Sequence, residues 1–206
     1  MLKFIYRKLV LWLMSTRIYY YLLKKVVPYI RFTTYYTSLR GWKYHILYNF
    51  LEPGDIILTI DKKKLTTFLI PGEFSHAAMC VSKDGEWEVS EMTHKDYTKS
   101  CFFDICKESD RVVILGVKDV NLEQVNKAIA KCKSLQDAKY DVEFKLGIEA
   151  LYCSELCLKS WGNDKIKANL KDLAGLGRLY ISPSGLYKAE GLYLKIDSKD
   201  LKWSDI

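Results

Sequence analysis

The sequence predicts an α+β domain, an antiparallel sheet packed on helices, preceded by a helical extension. Three observations carry this. In SHAAMCVSKDGEWEVSEM (75–92) two apolar runs flank Asp84-Gly85, a strong hairpin signal because a type I′ turn needs positive φ at both central residues. RVVILGV (111–117) has the β-branched density of a buried strand. Asn121, with Gln124 three residues later, reads as a capping box that opens a helix over 122–135.

The extension comes first along the chain. Of the 32 Lys and Arg residues, nine lie in residues 1–51, and none of the 25 Asp and Glu does. The remainder carries 23 − 25 = −2, so the formal net charge of +7 belongs wholly to this leader. The sequence therefore divides into a basic, aromatic extension (1–50) and a catalytic-sized domain (51–206). On a wheel at ~100° per residue, Lys3, Arg7, Arg17, Lys24 and Lys25 gather within about a third of the circle. Leu2, Ile5, Leu9, Trp12, Leu13, Tyr20 and Leu23 lie largely opposite. Such a helix suits an anionic membrane surface, with residues 1–31 as the contact. A helix docked on the domain's own core would show the same pattern, and the two readings stand side by side. Nucleic acid is a weaker third partner, because no recognisable fold motif accompanies the charge.

No uncharged run approaches the ~20 residues of a membrane-spanning helix. The uncharged run at 9–16 has only eight residues, and no small-residue cleavage site follows it, so the segment is expected to be retained. Six irregularly spaced cysteines, with no CxxC among them, predict free thiols in a reducing compartment. The expected location is cytoplasmic, peripheral at a membrane.

The remaining elements follow in order. Pro28 ends the first helix, and 33–50 is a second aromatic segment open to a helical reading. EPGD (52–55) is turn chemistry and DIILTI (55–60) a strand. Residues 61–74 form a connection with a basic run, Lys62 to Lys64, and a PG turn. After the hairpin, strand 111–117 and helix 122–135 comes a short helix, CSELCLKSW, that opens at Cys153. RLYIS and GLYLKI read as two late strands.

The hairpin yields a geometric expectation. With Asp84 and Gly85 as loop residues, Lys83 faces Glu86 and Ala78 faces Glu91. His76 and Glu91 then share a face as diagonal neighbours, ~7–8 Å apart between Cβ atoms. The carboxylate can accept one ring N–H, fixing the tautomer and stabilising the imidazolium. His94 falls on the other face. Cys80 shares the face of His76 but lies roughly 13 Å away at ~3.3 Å per residue, too far to be its partner. Cys153 can supply the nucleophile instead. A thiol at a helix N-terminus meets the positive end of the dipole, and a neighbouring imidazolium lowers its pKa further. The backbone N–H groups there can donate to an oxyanion. The alternative is that Cys153 is core packing, as Cys157 is expected to be. Glu155 is expected at the surface or as a cap, or else in a salt bridge beneath the site. A metal site built from His76, Glu91, His94 and a cysteine is disfavoured, because the strand splits its Glu-x-x-His pair between two faces.

GDIIL (54–58), SHAAM (75–79), a Glu fifteen residues beyond the His, YD..F (140–144) and YCSEL (152–156) together resemble the circularly permuted NlpC-type cysteine hydrolases. These are the YiiX/YebB-like group, with a poxviral branch, in which the His precedes the Cys. The resemblance covers about residues 52–185, ending near ISPSGL, and leaves the leader outside. It implies a permuted papain-like fold, no metal or other cofactor, and a triad of Cys153, His76 and Glu91. It also implies a tyrosine that helps hold the oxyanion, Tyr140 or Tyr152, with Tyr140 favoured. The expected function is a thiol hydrolase or acyltransferase acting on an amide, ester or thioester bond. Its substrate would be a peptide, lipid or acyl-conjugate, with the leader favouring a lipid or lipidated one at a membrane. The alternative is a catalytically silent membrane- or partner-binding module on the same scaffold.

Overall fold

The computed structural model describes residues 2–32, 37, 39, 41–70, 72–144, 150–173 and 177–205. The side chains of residues 2–6 lie outside the description, and with them Leu2, Lys3 and Ile5 of the expected wheel. So do Pro71 of the expected PG turn and 33–36, 38 and 40 of the aromatic segment.

Six strands build the central sheet: β1 (Ile56–Ile60), β2 (His76–Asp84), β3 (Glu86–Thr93), β4 (Asp96–Cys101), β5 (Arg111–Val117) and β10 (Leu192–Asp197). Their spatial order is β10-β5-β1-β2-β3-β4, antiparallel at every pairing. The inner strands of the sheet are buried on both faces, and strand alternation divides their residues cleanly. Ile56, Leu58, Ala77, Met79, Val113 and Leu115 face a cluster that includes α6 (Leu122–Ser134), α7 (Cys153–Trp161) and α8 (Pro183–Tyr187). Ile57, Ala78, Cys80, Val89, Val112 and Ile114 face α3 (Gly41–Phe50) and α5 (Phe102–Glu108). Leu47 of α3 and Leu51 are almost wholly buried in that second cluster, so the core reaches back into the aromatic segment. Burial on two sides is why DIILTI and RVVILGV read as unbroken apolar runs.

Helix α6 opens as expected. The Asn121 side chain accepts the Gln124 N–H at 2.9 Å, and the Gln124 side chain accepts the Asn121 N–H at 3.0 Å. The hairpin reaches its expected pairing by a different route. Only Gly85 has positive φ (71°), and the ladder closes around it with Asp84 opposite Glu86. That moves the register by one residue. A bulge at Val81, between Cys80 and Ser82, restores it, so Ala78 faces Glu91 after all.

Other expectations are corrected. The leader is two helices, α1 (Leu2–Met14) and α2 (Arg17–Lys25), followed by a 3-10 turn at Val27–Tyr29 that holds Pro28. The break sits at Ser15 and Thr16. Their hydroxyls donate to Trp12 O and Leu13 O, each at 2.7 Å, and Thr16 then caps α2 by accepting the Tyr19 N–H at 3.2 Å. RLYIS does not join the sheet: only β9 (Leu179–Tyr180) forms, paired with β8 (Lys171–Asp172) in a ladder of its own. Two further short strands, β6 (Lys139–Tyr140) and β7 (Ala150–Leu151), pair in parallel. Strand β4, helix α5 and the five-residue α4 (Leu65–Leu69) are additions that the sequence patterns did not announce.

Candidate active site

His76 is the first residue of β2, held opposite Thr59 of β1 at the rim of the sheet. Glu91 lies on the neighbouring strand opposite Ala78. The expected diagonal contact forms: His76 Nε2 donates to Glu91 Oε2 at 2.6 Å. The second carboxylate oxygen accepts the Ser100 hydroxyl from β4 at 2.5 Å. Ser100 completes the support of the histidine, and it could not be found by sequence reasoning that lacked β4.

Helix α7 begins at Cys153, with Tyr152 as its extended cap residue. The helix is held at both ends, by Ile181 at its start and Gly54 at its close. Ser154 Oγ donates to Ile181 O at 2.8 Å, Trp161 Nε1 donates to Gly54 O at 3.0 Å, and the Tyr152 hydroxyl accepts the Ile181 N–H at 2.9 Å. These contacts place Cys153 in the wall of the cleft with His76, where the His76 ring and the backbone amides of Ala77 and Ser154 act on its sulfur. Nε2 is committed to Glu91, so Nδ1 is the ring nitrogen left for the thiol.

The electrostatics follow from this packing. Burial alone would push the Cys153 thiol up, but the His76 hydrogen bond, its charge and the two amides outweigh burial and hold it below the ordinary value of 9.0. Burial alone would lower His76, but the hydrogen bonds and charges of Cys153 and Glu91 raise it from 6.5 to about 10. Burial likewise works against the Glu91 carboxylate, and His76 and Ser100 overcome it, leaving its pKa depressed. All six thiols are free, and burial drives the other five upward, so Cys153 alone is shifted toward the thiolate.

The structure separates the two tyrosines. Tyr152 is buried with its hydroxyl engaged by Ile181. Tyr140 lines the cleft with Cys153, His76 and Glu91, and stands in register with Leu151, two residues before Cys153. Burial and the charge of Cys153 push its hydroxyl pKa far up, so it stays a donor. Its backbone N–H donates to Asp96 Oδ1 at 2.8 Å, and the same carboxylate binds Lys24 of the leader.

Cys80 lies four residues along β2 on the same strand face as His76 and packs in the α3 cluster, and Cys157 packs from α7 into the other core cluster. Glu155 is fully buried rather than exposed, with Lys159 Nζ one turn on at 3.5 Å. His94 lies beyond the end of β3 and meets the Tyr29 hydroxyl at 3.1 Å. The cleft lined by Cys153, His76, Glu91, His94 and Tyr140 holds about 610 Å³. Part of its wall comes from the leader, through Leu23, Pro28, Tyr29 and Arg31.

A family model described as permuted papain-like amidase enzyme, YaeF/YiiX, C92 family, matches residues 50–193. The chain belongs to this family. Membership makes it a papain-like cysteine hydrolase. No curated protein matches the chain. A crystal structure of YiiX from Escherichia coli O157:H7 is similar, with a TM-score of 0.60 at 17% identity, over 69% of this chain and 95% of that one. This likeness shows the fold. The YiiX structure is described as that of a metalloprotein. Among the described residues here, no group of three or more His, Cys, Asp and Glu side chains could hold a metal ion.

Proposed function

We propose that this permuted papain-like hydrolase acts through a triad in which Cys153 is the nucleophile, His76 the acid and base, and Glu91 the residue that orients His76. The observation that carries the reading is the His76–Glu91 hydrogen bond in one cleft with Cys153, with the thiol lowered and the imidazole raised. It describes a thiolate–imidazolium pair at rest.

In the first step the Cys153 thiolate forms a C–S bond to the carbonyl carbon of an amide, ester or thioester. The electron pair moves to the carbonyl oxygen, where the Tyr140 hydroxyl and backbone N–H groups at the start of α7 donate to it. Collapse of this intermediate breaks the bond to the leaving nitrogen, oxygen or sulfur, which takes the proton from His76. An acyl-thioester on Cys153 remains. Water, or a second nucleophile in acyl transfer, then loses its proton to His76, attacks the thioester and releases Cys153. Glu91 stays ionised throughout.

The leader's place in the wall of the cleft supports a lipid or lipidated acyl substrate over a soluble peptide. A panel of acyl esters, thioesters and N-acyl amides tests the reading. Cys153→Ala should abolish turnover, by about 10³-fold or more, while the circular dichroism spectrum and melting temperature hold. Turnover that survives this substitution sinks the triad.

A further inference from the structure

Helices α1 and α2 turn their apolar stripes outward. Leu9, Trp12 and Leu13 stand at the i, i+3, i+4 spacing of one helix face and are exposed, Trp12 by 64%. Ile18, Tyr21 and Leu22 repeat that spacing on α2, with Ile18 71% exposed. An amphipathic helix that served its own domain would bury such a stripe. Here the inward positions are Met14 and Lys24, and Lys24 is tied to Asp96. The chain then passes Phe32, whose ring meets Phe68 of α4 edge-on at 5.3 Å, and Phe68 is 68% exposed. The same two segments line the cleft on their other side, through Leu23 and Tyr29 from the leader and Thr66, Thr67 and Ile70 around α4.

Charge identifies the occupant. Residues 1–51 contain no acid, and Arg17 and Lys25 are exposed beside the α2 stripe. Exposed Trp and Tyr rings interleaved with cations match the boundary between lipid headgroups and acyl chains. No helix among the described residues is long and apolar enough to cross a membrane, so the element lies on a bilayer rather than through it.

We propose that α1, α2 and the Phe32–Phe68 rim form a docking surface for an anionic lipid bilayer, with the mouth of the cleft held at that surface. Docking itself does not depend on the triad. Its consequence, that an acyl group reaches Cys153 from the membrane, rests on the thiol-hydrolase reading.

Co-sedimentation of the full chain with vesicles tests this. Phosphatidylcholine vesicles are compared with phosphatidylcholine–phosphatidylserine vesicles, at low and high salt. The wild type should pellet with the anionic vesicles and not with phosphatidylcholine alone. The triple variant Ile18→Ser/Tyr21→Ser/Phe68→Ser, altered only at exposed positions, should partition about tenfold less or weaker. Arg17→Glu/Lys25→Glu provides a second, independent loss of similar size. Cys153→Ser should bind like the wild type, which separates a failure of docking from a failure of the triad. The proposal is overturned if the wild type ignores anionic vesicles or if both surface variants bind undiminished. Tight binding to duplex DNA or RNA with no preference for anionic over phosphatidylcholine vesicles would also overturn it, marking the leader as a nucleic-acid surface.

Discussion

In the proposed mechanism Cys153 and His76 act as a pair, and the pair sets the pH range of turnover. The reactive form needs Cys153 deprotonated and His76 protonated. The rate should therefore rise on the acid side below the range of an ordinary thiol, and fall on the alkaline side near His76's value of about 10. Linkage gives the matching stability terms. His76, raised in the folded state, contributes stability fully below its ordinary 6.5 and loses it as pH climbs through about 10. Glu91, depressed, contributes above its ordinary 4.5 and loses it as pH falls through its folded value. Glu91→Gln removes the charge that supports the imidazolium. The alkaline limb of the kcat profile should then move to lower pH and kcat should drop by about a hundredfold. An unmoved limb would remove Glu91 from the account. Tyr140→Phe deletes a donor without disturbing the ion pair, so kcat should fall about 10²–10³-fold with KM nearly unchanged. A change confined to KM would place Tyr140 in substrate binding instead.

The hairpin shows why strand pairing could be anticipated while its turn could not. An Asp-Gly pair signals a tight connection, but whether the extra residue sits in the loop or in the strand is settled by packing along the ladder. Here it became the Val81 bulge, and the pairing of Ala78 with Glu91 survived because the two one-residue shifts cancel. Strand β4 was illegible for a different reason. DYTKSC is a half-exposed edge strand with little apolar alternation, entered through Asp96 at φ 74°. Its two contributions to the candidate site, Ser100 behind Glu91 and Asp96 behind Tyr140, went with it. Asp96 is also the link between leader and domain. Asn tolerates the left-handed backbone and keeps an acceptor for the Tyr140 N–H, so Asp96→Asn removes the charge that Lys24 and, more weakly, the exposed Lys139 meet. Lys24 is buried and Asp96 partly exposed, which puts the cost at about 1–2 kcal/mol. A chain of this length should melt about 3–6 °C lower. A melting curve that does not move would show the leader to be held by other contacts.

Across the molecule, legibility tracked burial and locality. Strands covered on both faces announced themselves as apolar runs, and α6 by its capping box. Helices α4 and α5, of five and seven residues, are too short to display a 3.6-residue period. The leader's pattern showed amphipathic character but not its division at Ser15–Thr16, nor that its apolar faces turn outward. The candidate triad was legible because two members share one hairpin and the third opens a helix. The YCSEL context and the family match then gave the order of the residues its meaning. Everything proposed for the chemistry depends on one physical state, a Cys153 thiolate held by His76. Its direct measurement is the pH dependence of iodoacetamide alkylation at each of the six cysteines by mass spectrometry, in the native chain and in His76→Ala. The account predicts that Cys153 alone reacts rapidly at mildly acidic pH and loses that advantage in the variant. An ordinary thiol titration at Cys153, or alkylation unchanged by His76→Ala, would contradict it.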